Sequence, residues 1–305
     1  MDQGLEITTQ ERPLWRRVID FPLVAMIIAT MVYMAGIVAA GIVAKFAIRA
    51  FPGFTFETRV YSIALPLLIF LYVFVIAKLG EHPRNDYWDS KAVRHLLWGL
   101  VGGAAVFSLV VLIAAALGIY RIVGVGDLRG MLAALIGPTL FAAVSEEMLF
   151  RGILFRWIEN FGGSWTALLL TSLFFGAAHL ANPHASAVAA AGIAIEAGVM
   201  LGAAYMLTRS LWLPMGLHAA WNFTQGEVYD IPVSGSKADG IVNAQLSGPP
   251  LLAGDGFGLE ASVIAMVVAT AFGLWLLWLA IRRGEVIQPW WVRRRALSAT
   301  QTAAT

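Results

Sequence analysis

Two adjacent carboxylates and an arginine lie in a stretch of the sequence that is otherwise apolar from residue 131 to 158. A charge at the centre of a membrane helix costs about 2.5 to 3.5 kcal/mol on insertion scales, and such residues usually face a bundle interior and have a function. Glu147 and Arg151 are four residues apart, so they share a helix face and can form an ion pair. Glu146 points about 100° away on the same helix, which leaves its carboxylate available as a base.

Two histidines occur in the apolar segments that follow. Phe175 and His179 are four residues apart, and so are His218 and Asn222. Carboxylates and imidazoles are the usual groups of general acid–base catalysis. A structural interpretation stays open for each pair. The ion pair can be purely structural, and a lone histidine in a membrane helix often makes a packing hydrogen bond.

The composition indicates what must position these residues. Hydrophobic residues make up 59% of the chain and charged residues only 13%, which is typical of a polytopic membrane protein. Runs of about 18 or more apolar residues can span a bilayer as helices. We therefore predict an all-α fold, a transmembrane helical bundle with about eight spans. The predicted spans cover residues 21–44, 60–77, 95–118, 130–158, 164–184, 186–208, 211–226 and 258–281.

The distribution of basic residues predicts the orientation. An eight-span chain places most of its 21 lysines and arginines on the side that holds both termini. We therefore predict cytoplasmic N- and C-termini, as the positive-inside rule requires. The opposite side receives six basic residues: Lys45, Arg49, Arg59, Arg121, Arg129 and Lys237.

The depth of the polar residues is compatible with a common site. With a rise of about 1.5 Å per residue, Glu146 and Asn222 lie about 17 to 18 Å from the predicted cytoplasmic surface. His179 lies about 24 Å and His218 about 10 Å from the same surface. These side chains can therefore meet near the middle of the bundle. A further acid, Glu196, lies in a span rich in alanine and glycine; we expect it to be buried at a helix interface, as a supporting partner or a hydrogen-bonded protonated acid.

We predict a single membrane-embedded domain over residues 1–305. Its catalytic core covers 130–226, an extracytoplasmic loop covers 226–257 and a cytoplasmic tail covers 284–305. The loop is either a lid or entrance to the core or a disordered connection. Because the chain contains no cysteine, it has no disulfide and no thiolate nucleophile. Its basic residues at helix ends fit anionic membrane lipids, so the pI near 9 requires no nucleic-acid partner.

Three motifs, in order, resemble the CPBP family of intramembrane proteases. They are Glu146-Glu147-x-x-x-Arg151, Phe175-x-x-x-His179 and His218-x-x-x-Asn222. The family includes CAAX prenyl proteases of the Ras-converting type and bacterial bacteriocin-processing or immunity proteins of the Abi group. The resemblance covers about residues 131–222.

The resemblance implies peptide-bond hydrolysis inside the membrane. Glu146 is then the general base, and His179 helps to position or deprotonate the same water. His218 and Asn222 donate hydrogen bonds to the oxyanion. Glu147 and Arg151 support the base, and Phe175 is either a packing residue or one wall of the water site.

A zinc-dependent version of the same protease uses Glu146, His179 and His218 as ligands. The resemblance favours the metal-free version. Asn222 also suits a hydrogen-bond donor better than a ligand, and no His-Glu-x-x-His stretch occurs.

Two other classes of protein remain open, a proton-coupled transporter and a non-catalytic membrane scaffold. No inverted repeat supports the transporter, and the intact motifs argue against a scaffold. The expected substrate is a hydrophobic or lipid-modified peptide or protein, and the expected location is a bacterial-type inner membrane, crossed several times.

Overall fold

The computed structural model describes residues 13–47, 50, 53–80, 86–88, 90–127 and 130–303 of the 305-residue chain. Most of this part is helical, as predicted. Some residues on which the predictions rest lie outside the described ones. They are Arg12, Arg49, Arg84 and Arg129, which enter the predicted orientation, and Ala304 and Thr305 of the predicted tail.

Four helices form the first part of the bundle. They are α1 (Leu14–Ile19), α2 (Pro22–Phe46), α3 (Phe56–Phe74) and α4 (Ala92–Ala116). Proline is accepted in the first turn of a helix, where an N–H would have no partner, and α2 begins with Pro22. The side chain of Thr55 accepts a hydrogen bond from the N–H of Thr58 and so caps α3. Both helix starts are therefore encoded locally.

The second part alternates α-helical and π-helical segments. Strand β1 (Tyr120–Val125) precedes α5 (Met131–Ala134), which continues through a π-helix (Leu135–Phe141), α6 (Ala142–Glu147), a second π-helix (Met148–Phe155) and α7 (Arg156–Ala178). Next come α8 (Ala187–Ile193), a π-helix (Ala194–Gly198), α9 (Val199–Thr208), α10 (Trp212–Phe223) and a π-helix (Thr224–Val228). Strand β2 (Val242–Leu246), α11 (Pro250–Ala253), α12 (Val263–Arg282) and α13 (Trp290–Ala303) complete the chain. Single-turn π-bulges occur frequently at functional sites.

Six helices in the described part of the chain are long and apolar enough to cross a membrane. One of them, Leu135–Ala181, has 47 residues and contains Gly163, whose φ of 83° is not helical. Gly163 lies between the fourth and fifth predicted spans. The seventh predicted span corresponds to α10, which has 12 residues and continues into a π-helix of five. The chain is thus a multi-pass membrane protein, and the number eight remains a prediction, as does the orientation.

The strands β1 and β2 were not predicted. They pair antiparallel, with Tyr120 opposite Leu246 and an irregularity between Ile122 and Gly124. Residues 226–257 contain β2 and α11, and Ile231 and Phe257 in the same segment are buried. The segment thus contains secondary structure and buried side chains, and its role as a lid or entrance stays a prediction.

Helices α4 and α10 pack closely because glycines line their contact. A Cβ atom at Gly103 would lie 2.3 Å from the backbone oxygen of Leu217, and one at Gly216 would lie 2.6 Å from that of Leu96. Small residues permit such close approach between membrane helices. The contact fixes the position of α10, which carries His218.

We expect Gly103→Ala to destabilise the protein by about 1 to 3 kcal/mol, because the new methyl group meets rigid backbone. The matched control is Gly41→Ala on α2, where a Cβ atom has no neighbour within 4 Å. Unfolding of both variants in mixed detergent micelles measures the difference. Equal stability of the two variants would contradict the close contact of α4 and α10.

Candidate active site

The predicted ion pair between Glu147 and Arg151 is present and fully buried. Arg151 Nη1 lies 2.8 Å from Glu147 Oε1, and neither side chain is exposed. Arg151 Nη2 donates to the carbonyl oxygens of Ala197 and Gly198, at 3.4 and 3.3 Å. These carbonyls belong to the π-helix between α8 and α9, where the helical hydrogen-bond ladder changes register. The arginine therefore joins the helix that carries Glu147 to that π-helix.

The same glutamate also holds His218. The Nδ1 atom of His218 lies 3.0 Å from Glu147 Oε1, between residues 71 positions apart in the chain. A carboxylate can only accept, so Nδ1 carries the hydrogen and donates it. This contact fixes the orientation of the imidazole ring and leaves Nε2 for other partners.

A backbone carbonyl orients His179. Helix α7 ends at Ala178, and the Nδ1 atom of His179 lies 2.7 Å from the backbone oxygen of Phe175. Because the carbonyl accepts, Nδ1 carries the hydrogen and the lone pair of a neutral ring is at Nε2. The His179 side chain can therefore accept a proton or a hydrogen bond from water at Nε2.

The ring of Phe175 brings the three motifs together. Its centroid lies 4.8 Å from that of His179 and 6.1 Å from that of His218. The guanidinium carbon of Arg151 lies 4.7 Å from the same centroid, within cation–π distance. Phe175 thus forms a wall shared by both histidines.

A small cavity adjoins the two histidines. Its volume of about 20 Å³ is enough for one water molecule. It is lined by Phe175, His179, Ile193, Glu196, Ala197, Met200, Leu201, His218, Trp221, Asn222, Ser234 and Glu260. A water there would have several polar partners, which an ordered buried water requires.

Glu146 lies next to this group without lining the cavity. Its carboxylate is close enough to His218 and Arg151 to interact with both electrostatically. Its Oε2 atom is buried and has no hydrogen-bond partner in the described part of the chain. At the preceding residue, Tyr33 of α2 donates to the backbone oxygen of Ser145 at 2.6 Å. Oε2 of Glu147 is also buried without a partner among the described residues, so the difference between the two acids is that Arg151 binds Oε1 of Glu147.

Two acidic residues that the three motifs do not contain also line the cavity. Glu196 is buried, as expected, and is 1% exposed; among the described residues, neither of its carboxylate oxygens has a hydrogen-bond partner. The expected hydrogen bond is therefore not observed. Glu260 was not predicted. A signal existed, because Glu260 is the sole charged residue of the predicted span 258–281.

A larger cleft meets the cavity at Asn222, which lines both. The cleft has a volume of about 340 Å³, within the range of ligand pockets. Its wall includes Thr58 and Tyr61 from α3 and Lys237 from the loop 226–257. Burial, together with nearby Asp239 and Asp230, raises the pKa of Glu227, which also lines the cleft. The cleft is large enough for a few side chains of a peptide.

The zinc version of the prediction needs three convergent ligands. Within the described ranges, no three histidine or acidic side chains are grouped closely enough to hold a metal ion. Glu146, His179 and His218 therefore do not fit a metal site in this arrangement, and we derive no step through a metal.

The comparisons with known proteins concern the segment that carries this geometry. The family model of the Rce1-like type II CAAX prenyl endopeptidases matches residues 128–224. This segment is similar to the Rce1-like family. The matched segment is less than half of the chain and contains all three motifs. No curated protein and no solved structure matches the chain.

The Rce1-like match confirms the resemblance drawn from the motifs. It supports a CAAX-type intramembrane endopeptidase, a hydrolase, in general terms. Prenylated proteins in membranes are the substrates of that family.

Arg151 provides a test of the buried network. We expect Arg151→Ala to destabilise the protein by about 3 to 5 kcal/mol, because it leaves the carboxylate of Glu147 buried without its charged partner. Thermal unfolding in detergent, with the exposed Arg283→Ala as control, measures the effect. A loss no larger than that of the control would show that the pair contributes nothing to stability.

Proposed function

We propose that the chain is an intramembrane endopeptidase that hydrolyses peptide bonds of hydrophobic or lipid-modified substrates with a glutamate-activated water. The observation that supports it most directly is the contact of the three motifs. Glu147 binds both Arg151 and His218, and Phe175 places His179 beside His218 at a cavity of water size. The match of residues 128–224 to a prenyl endopeptidase family supports the same activity.

In this proposal Glu146, which lies next to the cavity without lining it, takes a proton from a water at the edge of the cavity. Its buried Oε2 atom lacks a hydrogen-bond partner among the described residues, so it is available to accept one. His179 holds the same water through Nε2, the nitrogen that the carbonyl of Phe175 leaves unprotonated. A positioned base typically accelerates such a step by about 100- to 10,000-fold.

His218 and Asn222 stabilise the oxyanion. In the imidazolium form both nitrogens of His218 donate, so Nδ1 can donate to Glu147 while Nε2 donates to the oxyanion. Asn222 lies one helical turn further along α10, on the same face, and its amide nitrogen supplies a second donor. Arg151 has an indirect role, because it binds Glu147 and so holds the carboxylate that orients His218.

The substrate enters through the cleft beside Asn222 in this proposal. The cleft has a volume of about 340 Å³, larger than that of the water cavity. Its wall is formed by α3, by the π-helix Leu135–Phe141, which contains Thr139, and by the loop 226–257. Many apolar side chains of α2, α3 and α4 are exposed. In this proposal they face lipid, from which a prenyl chain can approach. We place the enzyme in a bacterial-type inner membrane.

The first test of this function is the substitution Glu146→Gln. We expect a loss of cleavage of at least about 100-fold, because the amide cannot act as the base. The measurement compares the termini of membrane peptides in cells that produce equal amounts of the wild-type chain or the variant. Asp255→Asn, at an exposed acid outside the site, is the control.

New termini that depend on Glu146 support the protease. Identical termini in both cell lines would contradict it. A proton-coupled uptake that stops with Glu146→Gln would then identify a transporter, and an unchanged cell would indicate a scaffold.

A second test addresses the oxyanion donors. We expect Asn222→Ala to lower kcat by about 100- to 1000-fold, as the loss of one such donor does in other hydrolases. Purified protein and a prenylated peptide of the C-a-a-X type serve for the assay. The control Asn243→Ala removes an exposed amide on β2 that lines neither the cavity nor the cleft. An unchanged kcat in Asn222→Ala would exclude Asn222 as a donor.

A further inference from the structure

Two carboxyl groups in the water cavity have no part in the proposed mechanism. Glu196 belongs to the π-helix between α8 and α9, and Glu260 belongs to a turn of 3-10 helix, Leu259–Ala261, directly before α12. They are 1% and 2% exposed. Both line the cavity together with His179 and His218. Two acids from separate elements thus meet where the proposed water lies.

The two acids differ in what surrounds their oxygens. In the described part of the chain neither oxygen of Glu196 receives a hydrogen bond. Glu260 accepts one from the backbone N–H of Ser234, in the loop 226–257. A hydrogen-bond donor stabilises an ionised carboxylate, whereas a buried carboxylate without donors is very costly in its ionised form. The proton of such a pair therefore belongs on Glu196.

Peptide hydrolysis also requires a proton on the leaving nitrogen, because the amine leaves only when its nitrogen gains one. Glu146 gains a proton from water but does not line the cavity, whereas Glu196 and Glu260 do. When two interacting carboxyl groups line the same cavity, repulsion between their charges favours the state in which one of them keeps its proton. Glu196 and Glu260 interact electrostatically across the cavity.

We propose that Glu196 is a further catalytic residue, the general acid that protonates the leaving nitrogen, and that Glu260 is the carboxylate that keeps this proton in the cavity. This inference rests on the proposed function. Water gives a proton to Glu146 while its oxygen bonds to the carbonyl carbon. The carbon–nitrogen bond then breaks, its electron pair goes to nitrogen, and nitrogen takes the proton of Glu196. The proton on Glu146 returns to Glu196 through cavity water, so that the net change is the addition of one water.

The experiment measures how fast the same enzyme cleaves two substrates that differ in the leaving group of the cleaved bond. The first probe is a prenylated C-a-a-X peptide, and the second is the same peptide with a thioester in place of the amide that the wild-type enzyme cleaves. A thiolate leaves without prior protonation, whereas an amine does not. The thioester therefore needs the base but not the general acid.

For Glu196→Gln we expect a loss of about 100-fold in kcat on the amide and less than about 10-fold on the thioester. The ratio of the two rates is measured on one preparation, so partial misfolding does not change it. We expect Glu260→Gln to show the same preference for the thioester with a smaller loss. Asp255 is exposed and lies five residues before Glu260 in the chain. Asp255→Asn should leave the ratio at its wild-type value.

The variant Glu146→Gln separates the two proposals. It should lose both reactions, because water must be activated in each. If Glu146→Gln retains both, or if the wild-type chain cleaves neither probe, the proposed function is wrong. If Glu146→Gln loses both while Glu196→Gln slows amide and thioester equally, or slows neither, the general-acid role of Glu196 is wrong and the proposed function stands.

Discussion

The carboxylate of Glu147 is the interaction on which the rest of the site depends. One oxygen, Oε1, binds Arg151 and His218 at 2.8 and 3.0 Å, and the carboxylate itself is out of contact with solvent. A buried charge is tolerated only when it is paired and hydrogen-bonded, so each partner is required by the others. Arg151 in turn donates to backbone oxygens of the π-helix between α8 and α9. A single anion thus connects α6, α10 and that π-helix in an apolar bundle.

Local spacing predicted the contacts that occur within one helix. Four-residue spacing predicted the pair of Glu147 and Arg151 and placed Phe175 and His179 together, and the structure contains both contacts. The contact of Glu147 with His218 joins residues 71 positions apart, and no helical period contains that information. The matched depths allowed it but did not select Glu147 over Glu146. Only the packing of α10 against its neighbours decides which acid His218 binds.

There are physical reasons why some elements of the fold were not predicted from the sequence. The π-helices before and after α6 keep the apolar composition of their neighbours, so hydropathy does not distinguish them from α-helix. Strand β1 is six residues long and its partner follows only after residue 241, so the pairing has no local signature. Glu260 was not predicted for another reason. It lies at the edge of an apolar run, where an acid is expected to face water, but in the structure the loop 226–257 covers it.

The loop 226–257 matters for the chemistry because it controls the surroundings of the cavity. Ser234 lines the cavity and donates to Glu260, and Lys237 lines the cleft that meets the cavity at Asn222. A water-sized space between two histidines and two acids is useful for hydrolysis only if bulk water is excluded, since electrostatic interactions are much stronger at low dielectric constant. The loop supplies part of the wall that excludes it. Ser234 and Lys237 of this connection are therefore part of the proposed active site.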